Sequence, residues 1–487
     1  MRSSTAELEP EAPRLWTPDA AQRRGVKFLL EHGHAGLLAD PGVGKTSIAL
    51  QTFRLLRHEG LADRMLVIAP KRPAWMVWPA EMHKWTQFND LRVAMLHGPH
   101  REEALKDRKA DVFVISNHHE NLGWLFSFGR WRKLKDALLG IDESSKFKYM
   151  RTQRFGAIRP FLRHFRRRQI FTGSPAPNSL IDLHGQVYLL DLGKTFTAYV
   201  TYYRKLYFET TGYGGYAWKI KEDAEKEIYR RLAPYVLRLE DKGVGKPKLR
   251  VNPVQVVLPA KVRRVYEQLE AQLFALIDEK KITAFNAGAL MTKCAQIASG
   301  GVYEEWAVDP KTGAPIKKGR RKWLALHDEK TEACVDLAEE LQGQQLMIMY
   351  HWQHDLERLR RAFGKDLAVL GGGSITQDKA LERAWNRREI TRMAGHPASI
   401  GHGLNLQTGG AHHIFCYTLT HDFELYDQFI RRFWRRGNPA STVYVHHCVA
   451  RDTVDETKVL SLASKDRAQQ ALFAALLAYR RGRGGRG

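Results

Sequence analysis

Apolar residues in this chain gather in short unbroken runs, each ended by a polar or glycine-containing turn. In the first half the runs are Leu37-Leu38-Ala39, Met65–Ala69, Asp111–Ser116, Leu138–Ile141 and Gln169–Thr172. Runs without alternation read as strands buried on both faces, the pattern of a parallel sheet. Helical spacing fills the gaps. The first helix is opened by Thr17-Pro18-Asp19 and carries Val26, Phe28, Leu29 and Leu30. Trp75, Trp78 and Trp85 fall in another helical region, where packing is the expected role. A second series begins at Leu346–Tyr350 and continues through a helix with Leu356, Leu359 and Phe363 to strands at His413–Tyr417 and Thr442–Val445. Between the series, Leu180 to Glu240 turns helical and aromatic, and Asp241–Lys248 reads as a basic, flexible joint. A short strand at Val254–Leu258 and a long helical stretch from Val262 towards Ile297 follow, then an exposed loop from Pro310 to Lys322.

This alternation predicts an α/β protein with two parallel-sheet lobes. The expected boundaries are a flexible N-terminus over 1–14, a first lobe over 15–245, a second over 246–470 and a basic tail over 471–487. Helical insertions are expected from about 180 in the first lobe and over about 260–300 in the second.

One strand end carries chemistry. After Leu37-Leu38-Ala39 comes Asp40-Pro41-Gly42-Val43-Gly44-Lys45-Thr46-Ser47, then helix-forming Ile48-Ala49-Leu50. A glycine-containing loop between strand and helix turns backbone N–H groups inward, and the helix start adds positive potential. Lys45 would reach the β- and γ-phosphates of a nucleoside triphosphate, and the Thr46 hydroxyl would ligate Mg²⁺. A second strand, Leu138–Ile141, ends in Asp142-Glu143. Strand ends in a parallel sheet face the ligand crevice, where one carboxylate can hold Mg²⁺ and the next can orient the attacking water. Gln22, just upstream of the loop, could pair with an adenine edge.

Charge adds a partner. Lys and Arg number 77 against 53 Asp and Glu, a net +24, which points to a polyanion. No run of apolar residues is long enough to span a membrane, and no apolar leader follows Met1. The four cysteines, Cys294, Cys334, Cys416 and Cys448, are scattered and read as buried thiols of a reducing, cytoplasmic setting. The adjacent His118 and His119 lack an obvious third ligand, and the run Arg163, Arg166, Arg167, Arg168 is either a solvated helix face or part of the polyanion surface.

Taken in order, the motifs resemble the superfamily-two helicases and, within them, the Swi/Snf-like branch. Ala39-x-x-Gly42-x-Gly44-Lys45-Thr46 is similar to the first motif and Gln22-Arg23-Arg24-Gly25-Val26 to the entry helix. Asp142-Glu143-Ser144, Thr172-Gly173-Ser174-Pro175 with Asn178, Leu237-Arg238 and Gln296-Ile297 fall where the branch has its patterns. Gly403-Leu404-Asn405-Leu406 and Gln428-x-x-x-Arg432-x-x-Arg435-x-Gly437 resemble the fifth and sixth motifs, the latter expected on a helix. Ile400, Arg431 and Asn438 depart from the usual residues.

The resemblance implies two RecA-like lobes and an ATPase that moves along or remodels DNA, of the compact form found in bacteria and their viruses. It implies ATP and Mg²⁺ as cofactors, with Asp40 to Ser47 around the phosphates, Gln22 on adenine, and Thr46 and Asp142 on the metal. Lys45, Asp142, Glu143, Gln428, Arg432 and Arg435 would be catalytic, the arginines acting as fingers. Pro70, Lys71, Ser174 and Asn405 would face the nucleic-acid track. Duplex DNA is the expected partner of a monomer. An RNA helicase and a non-catalytic basic scaffold are the competing readings.

Overall fold

Five of the expected runs become neighbouring strands because they are apolar on both faces and so need cover on both. A computed structural model describes residues 13–466, except 41, 72, 178, 212–216, 241–245, 279–283, 305–320 and 401–403. The chain divides into two compact units, the division falling between Lys242 and Gly243.

The first unit is built on β1 (His34–Ala39), β2 (Met65–Ala69), β3 (Val93–Met95), β4 (Val112–Ser116), β5 (Leu138–Asp142) and β6 (Arg167–Thr172). An antiparallel hairpin, β7 (Phe208–Thr211) and β8 (Ala217–Ile220), stands apart from that sheet. β9 (Val236–Leu239) returns to it, giving the order β3-β4-β2-β5-β6-β1-β9, parallel throughout. Alternate residues of β2 show why the run had to be apolar. Met65, Val67 and Ala69 pack in a core with Ile48, Phe53 and Trp78. Leu66 and Ile68 pack in another with Phe113, Ile141 and Phe155.

The aromatic stretch after Leu180 is only partly the helical insertion expected of it. Helices do run over Leu183–Asp191, Val200–Tyr207 and Ala224–Leu232. The stretch also contains the hairpin, and it closes with β9 as an edge strand of the main sheet, paired to β1 from Gly36↔Val236 to Ala39↔Leu239. Val236-Leu237-Arg238-Leu239 is too short, and too interrupted by its arginine, to stand out as a strand by periodicity.

The second unit begins with β10 (Lys248–Val256), which starts well before the strand expected at Val254. Its exposed alternate positions hid it. Two helices, Ala260–Asp278 and Ala284–Ser299, replace the single long helical stretch. A short antiparallel pair, β11 (Gly301–Tyr303) and β12 (Trp323–Ala325), comes next. Then β13 (Leu346–Met349), β14 (Leu367–Leu370), β15 (Arg392–Gly395), β16 (His413–Cys416) and β17 (Thr442–Ala450) complete a second parallel sheet of order β10-β17-β16-β13-β15-β14. Both sheets therefore have the α/β, RecA-like layout expected. The loop from Pro310 lies outside the described residues up to residue 320 and the basic joint up to residue 245, and the tail lies outside them entirely.

This unit buries whole ionic clusters. Asp455 accepts from Lys330 Nζ at 2.5 Å and Lys458 Nζ at 3.1 Å, all three being closed to solvent. Asp355 accepts from the Ser299 hydroxyl at 2.7 Å, the Thr418 hydroxyl at 2.9 Å and the Trp352 N–H at 2.9 Å, with Arg358 at 3.4 Å. The His354 ring at 3.2 Å, with Arg358 and the Ser299 hydroxyl, holds the Asp355 carboxyl far below its ordinary range despite its burial.

All four cysteines are buried and unpaired with one another. Among the described residues no group of His, Cys, Asp and Glu could hold a metal by itself, so His118 and His119 simply lie ring against ring at 4.6 Å. No described helix is long and apolar enough to cross a membrane. The arginine run is corrected in part: Arg163, on a short helical turn, and Arg166 are exposed as expected, but the other two differ. Arg167 and Arg168 lie on β6, and Arg168 is buried, donating to the carbonyls of Leu162, Phe165 and Leu190. Burial lowers its guanidinium to about 10. It ties a helix end to the sheet and is closed to any polyanion.

Candidate nucleotide site and arginine cluster

The phosphate loop is set by its two ends. Upstream, α1 (Ala20–Glu31) starts at Asp19, whose carboxylate accepts from Gln22 N at 2.8 Å while Gln22 Oε1 accepts from Asp19 N at 3.0 Å. That reciprocal cap fixes the helix start. It leaves Gln22 Nε2 to donate to the carbonyl of Val43 in the loop at 3.0 Å. Downstream, α2 (Lys45–His58) begins at Lys45 itself. The turn requires glycine at two positions, since Gly42 and Gly44 have φ of 93° and 88°. At Gly44 a Cβ would also sit 2.7 Å from Gln22 Nε2, so the contact between α1 and the loop needs the absent side chain.

Lys45 Nζ donates to the carbonyl of Ala39 at 3.1 Å, folding back over the loop. Thr46 is half-buried beside it. Ser47 is buried, and its hydroxyl donates to Glu81 rather than towards the loop. Asp40 turns away as well: its carboxylate accepts from Arg238 on β9 at 2.7 Å. Pro41 lies outside the described residues.

At the end of β5, Asp142 is 8% exposed. Its Oδ2 accepts from the Trp78 indole N–H at 3.1 Å and its Oδ1 from the Glu143 N–H at 3.0 Å. Burial pushes its carboxyl up, while the Lys45 ammonium and the Trp78 N–H pull it down. Glu143 follows in the left-handed region at φ 49°, unusual for a residue with a side chain. Next to it, the Ser144 hydroxyl donates to Gln186 Oε1 at 2.9 Å, and Gln186 Nε2 donates to the Pro175 carbonyl at 2.5 Å. A single buried amide thus joins the acidic strand end to the Thr172-Gly173-Ser174-Pro175 turn. Within that turn Ser174 is buried and its N–H donates to the Thr172 hydroxyl at 3.1 Å. Past β2, Pro70 accepts from Ala74 N at 2.9 Å, and Lys71 is exposed with its ammonium 4.8 Å from the Trp75 ring centre.

The second unit gathers its candidates separately. The helix expected across Gln428 to Gly437 runs only over Phe423–Ile430, so the arginines lie in the turns beyond it. Beyond them Asn438, buried, holds the turns by donating to the carbonyls of Phe433 and Ala411 at 2.9 Å each. Gln428 is buried and donates to Glu424 at 3.1 Å. Arg432 donates to the Leu404 carbonyl and Arg435 to the Asn405 side chain, each at 3.3 Å. Asn405 therefore backs Arg435, a contact that separate assignment to a nucleic-acid track did not anticipate. The departures from the usual motif have partners too: Arg431 is buried against Asp427 at 2.7 Å, and Ile400 is fully buried. Residues 401–403 are outside the described residues.

Sequence reading missed four supporting side chains: Trp78, Glu81, Gln186 and Arg238. Only Leu237-Arg238 had a motif to mark it. Trp78 was expected to pack, and it does at 1% exposure, but its N–H is spent on Asp142.

The chain is similar to several known proteins. The family model of the SNF2-related domain matches residues 21–300. Protein p41 of Acyrthosiphon pisum secondary endosymbiont phage 1 is 31% identical over 487 residues, covering 95% of this chain and 99% of the relative. The Sulfolobus solfataricus SWI2/SNF2 ATPase core in complex with dsDNA is 19% identical with a TM-score of 0.44, covering 96% of this chain and 96% of its own. The same organism's SWI2/SNF2 ATPase core domain is 19% identical with a TM-score of 0.41, covering 95% of this chain and 91% of its own. On the family match and the phage relative, the chain belongs to the SNF2-related family of nucleic-acid-dependent ATPases.

Proposed function

We propose that this protein hydrolyses ATP with Mg²⁺ and uses the cycle to move along or remodel duplex DNA. The observation that carries the reading is the pairing, on one sheet, of the Gly42–Thr46 loop with the buried Asp142 and its strained neighbour Glu143. Loop N–H groups and Lys45 would hold the β- and γ-phosphates. Asp142 fits a magnesium ion: burial raises its carboxyl, so added positive charge is favoured there, and each oxygen spends one lone pair on a protein donor. Thr46 would be the other protein ligand, with water and phosphate oxygens completing the shell. Bound there, the metal would neutralise charge on the transferring phosphoryl group.

Glu143 would orient the attacking water and accept its proton. Arg432 and Arg435, aimed by Leu404 and Asn405, would stabilise charge in the transition state, with Gln428 beside them. Gln22 would read the adenine edge. Since loop and arginines belong to different units, hydrolysis would require the units to meet, and repeated meeting and parting would drive movement. Pro70, Lys71, Ser174 and Asn405 would face the DNA, and the net +24 charge supports phosphate contacts that position without reading bases. The phage relative supports a phage or bacterial setting, and replication, recombination or repair of such a genome is the role we propose.

The test is ATP turnover measured with duplex DNA, single-stranded DNA, RNA or no polymer. Strongest stimulation by duplex DNA is expected. Equal rates in all four would remove the coupling, and stimulation by RNA alone would replace the substrate.

A further inference from the structure

The strand that leads out of the first unit is bonded to the mouth of the phosphate loop. β9 ends at Leu239, a few residues before the division at Lys242. Its Arg238 is 5% exposed and grips the strand end beside the loop at two points: Nη1 donates to the Leu38 carbonyl at 3.0 Å and Nη2 to Asp40 Oδ1 at 2.7 Å. The backbones are joined at the same place, with Asp40 N donating to the Leu239 carbonyl at 3.1 Å. Leu239 also sits against α1, where a Cβ on Gly25 would come within 3.0 Å of its side chain.

The electrostatics make this more than a fastening. Asp40 opens a loop read here as a triphosphate site, yet it is a nearly buried carboxylate of the same sign as the phosphates. Such a charge is tolerable only while a cation is bonded to it. Arg238 is that cation. Its fork can hold a carbonyl and a carboxylate at once, which a lysine cannot match.

We propose that Arg238 is a positioning residue for the nucleotide site. It cancels the Asp40 charge at the loop entrance and anchors the loop to the strand from which the chain passes into the second unit. A pull on that strand would then reach the phosphate loop through a buried ion pair. The inference rests on the reading of the loop as an ATP site.

The experiment is equilibrium ATP binding, with steady-state turnover beside it, on the full chain and three variants. Arg238→Met should weaken ATP binding by about tenfold or more. It should weaken ADP binding less, because the unmatched Asp40 charge repels each phosphate. Turnover at saturating ATP should stay within about threefold of wild type. Arg238→Lys, which keeps the charge, should bind more tightly than Arg238→Met. Adding Asp40→Asn to Arg238→Met should restore most of the affinity, which a merely structural role would not allow. Unchanged affinity in Arg238→Met, or a double variant no tighter than the single one, overturns the proposal. If Arg238→Met fails to fold, the lysine and double variants decide: a lysine variant weaker than the double variant overturns it. Wild-type protein that binds no ATP overturns the functional reading and this inference together.

Discussion

In the first unit, buried charge gathers at strand ends around the phosphate loop: Asp40 with Arg238, and Asp142 beside Lys45 and the Trp78 N–H. In the second, it lies inside closed clusters: Asp455 between Lys330 and Lys458, and Asp355 among Ser299, Thr418 and Arg358. The difference lies in how far the charges are matched. Asp142 keeps a raised carboxyl, whereas Asp355 and Asp455 are held low by their partners, Asp455 at about 2. A carboxylate left under-compensated in a fold is poised for a ligand, and one fully compensated is part of the scaffold. Substitutions at Lys45 and Asp142 should therefore cost turnover, substitution of Arg238 should cost nucleotide affinity, and substitutions in the second set should cost stability.

The sharpest challenge to that division comes from the second unit's own arginines. Arg435→Ala should lower ATP turnover by about 10³–10⁵-fold if it acts as an arginine finger. ATP affinity and melting temperature should hardly move, since Arg435 is half-exposed and its contact with the Asn405 side chain at 3.3 Å lies near the surface. Normal turnover in this variant would remove Arg435 from the site and leave Arg432 as the second unit's candidate finger. Next in size is Asp455→Ala, which strands Lys330 and Lys458 without their counter-ion. A loss of about 3–5 kcal/mol in stability is expected, read by denaturant unfolding, with turnover per folded molecule unchanged. A stable variant would show that the cluster contributes nothing to holding the fold. Lys45→Ala is its mirror image: turnover should fall by about 10²–10³ while unfolding stays as in wild type. A comparable loss of stability would blur the division from the other side.

Acid should separate the units more gently. Burial holds His327 and His447 of the second unit at about 4, below their ordinary 6.5, and His351 and His413 likewise. In the first unit burial likewise holds His34 at about 4 and lowers His97 and His184. These values are depressed on folding, so between them and 6.5 the unfolded chain binds more protons. The stability they give is complete above 6.5 and is lost as pH falls through about 4. Calorimetry from neutral pH downward should show the transition that Asp455→Ala shifts moving more than the other. The reverse order would mean that the second unit's histidines are not what limits it in acid.

How legible this was depends on what each residue does. Lys45, Asp142 and Glu143 could be placed because strand, loop and helix follow one another within a short stretch, and local order carries the chemistry. The doubly buried strands were legible for a similar reason: both faces need apolar cover, so the run itself is the signal. β9 and β10 were not: β9 is only four residues long and is interrupted by Arg238, and β10 is an edge strand exposed along much of its length. The supports were least visible. Arg238 reaches Asp40 across 198 positions of sequence, and Trp78 reaches Asp142 across 64. Nothing in spacing distinguishes a packed indole from one that also donates. The arginines past Ile430 were identified by motif but placed on the wrong element, because the turns that carry them are held by contacts distant in sequence, such as that of Asn438 with the Ala411 carbonyl.

Gln22 is where the two kinds of role meet in one side chain, and it carries the smallest predicted effect. One end of its amide closes the helix cap with Asp19 and the other holds the Val43 carbonyl. Gln22→Ala should therefore cost about 0.5–2 kcal/mol of stability, the usual worth of a lost cap, whatever the residue does for nucleotide. Stability alone cannot decide its role. Selectivity can: if the amide also reads adenine, the ratio of ATP to GTP turnover should fall in Gln22→Ala, and Gln22→Glu should lower it further by replacing the donor with a charge. An unaltered ratio with the expected stability loss would assign Gln22 wholly to the helix start. Base selection would then have to come from another part of the first unit.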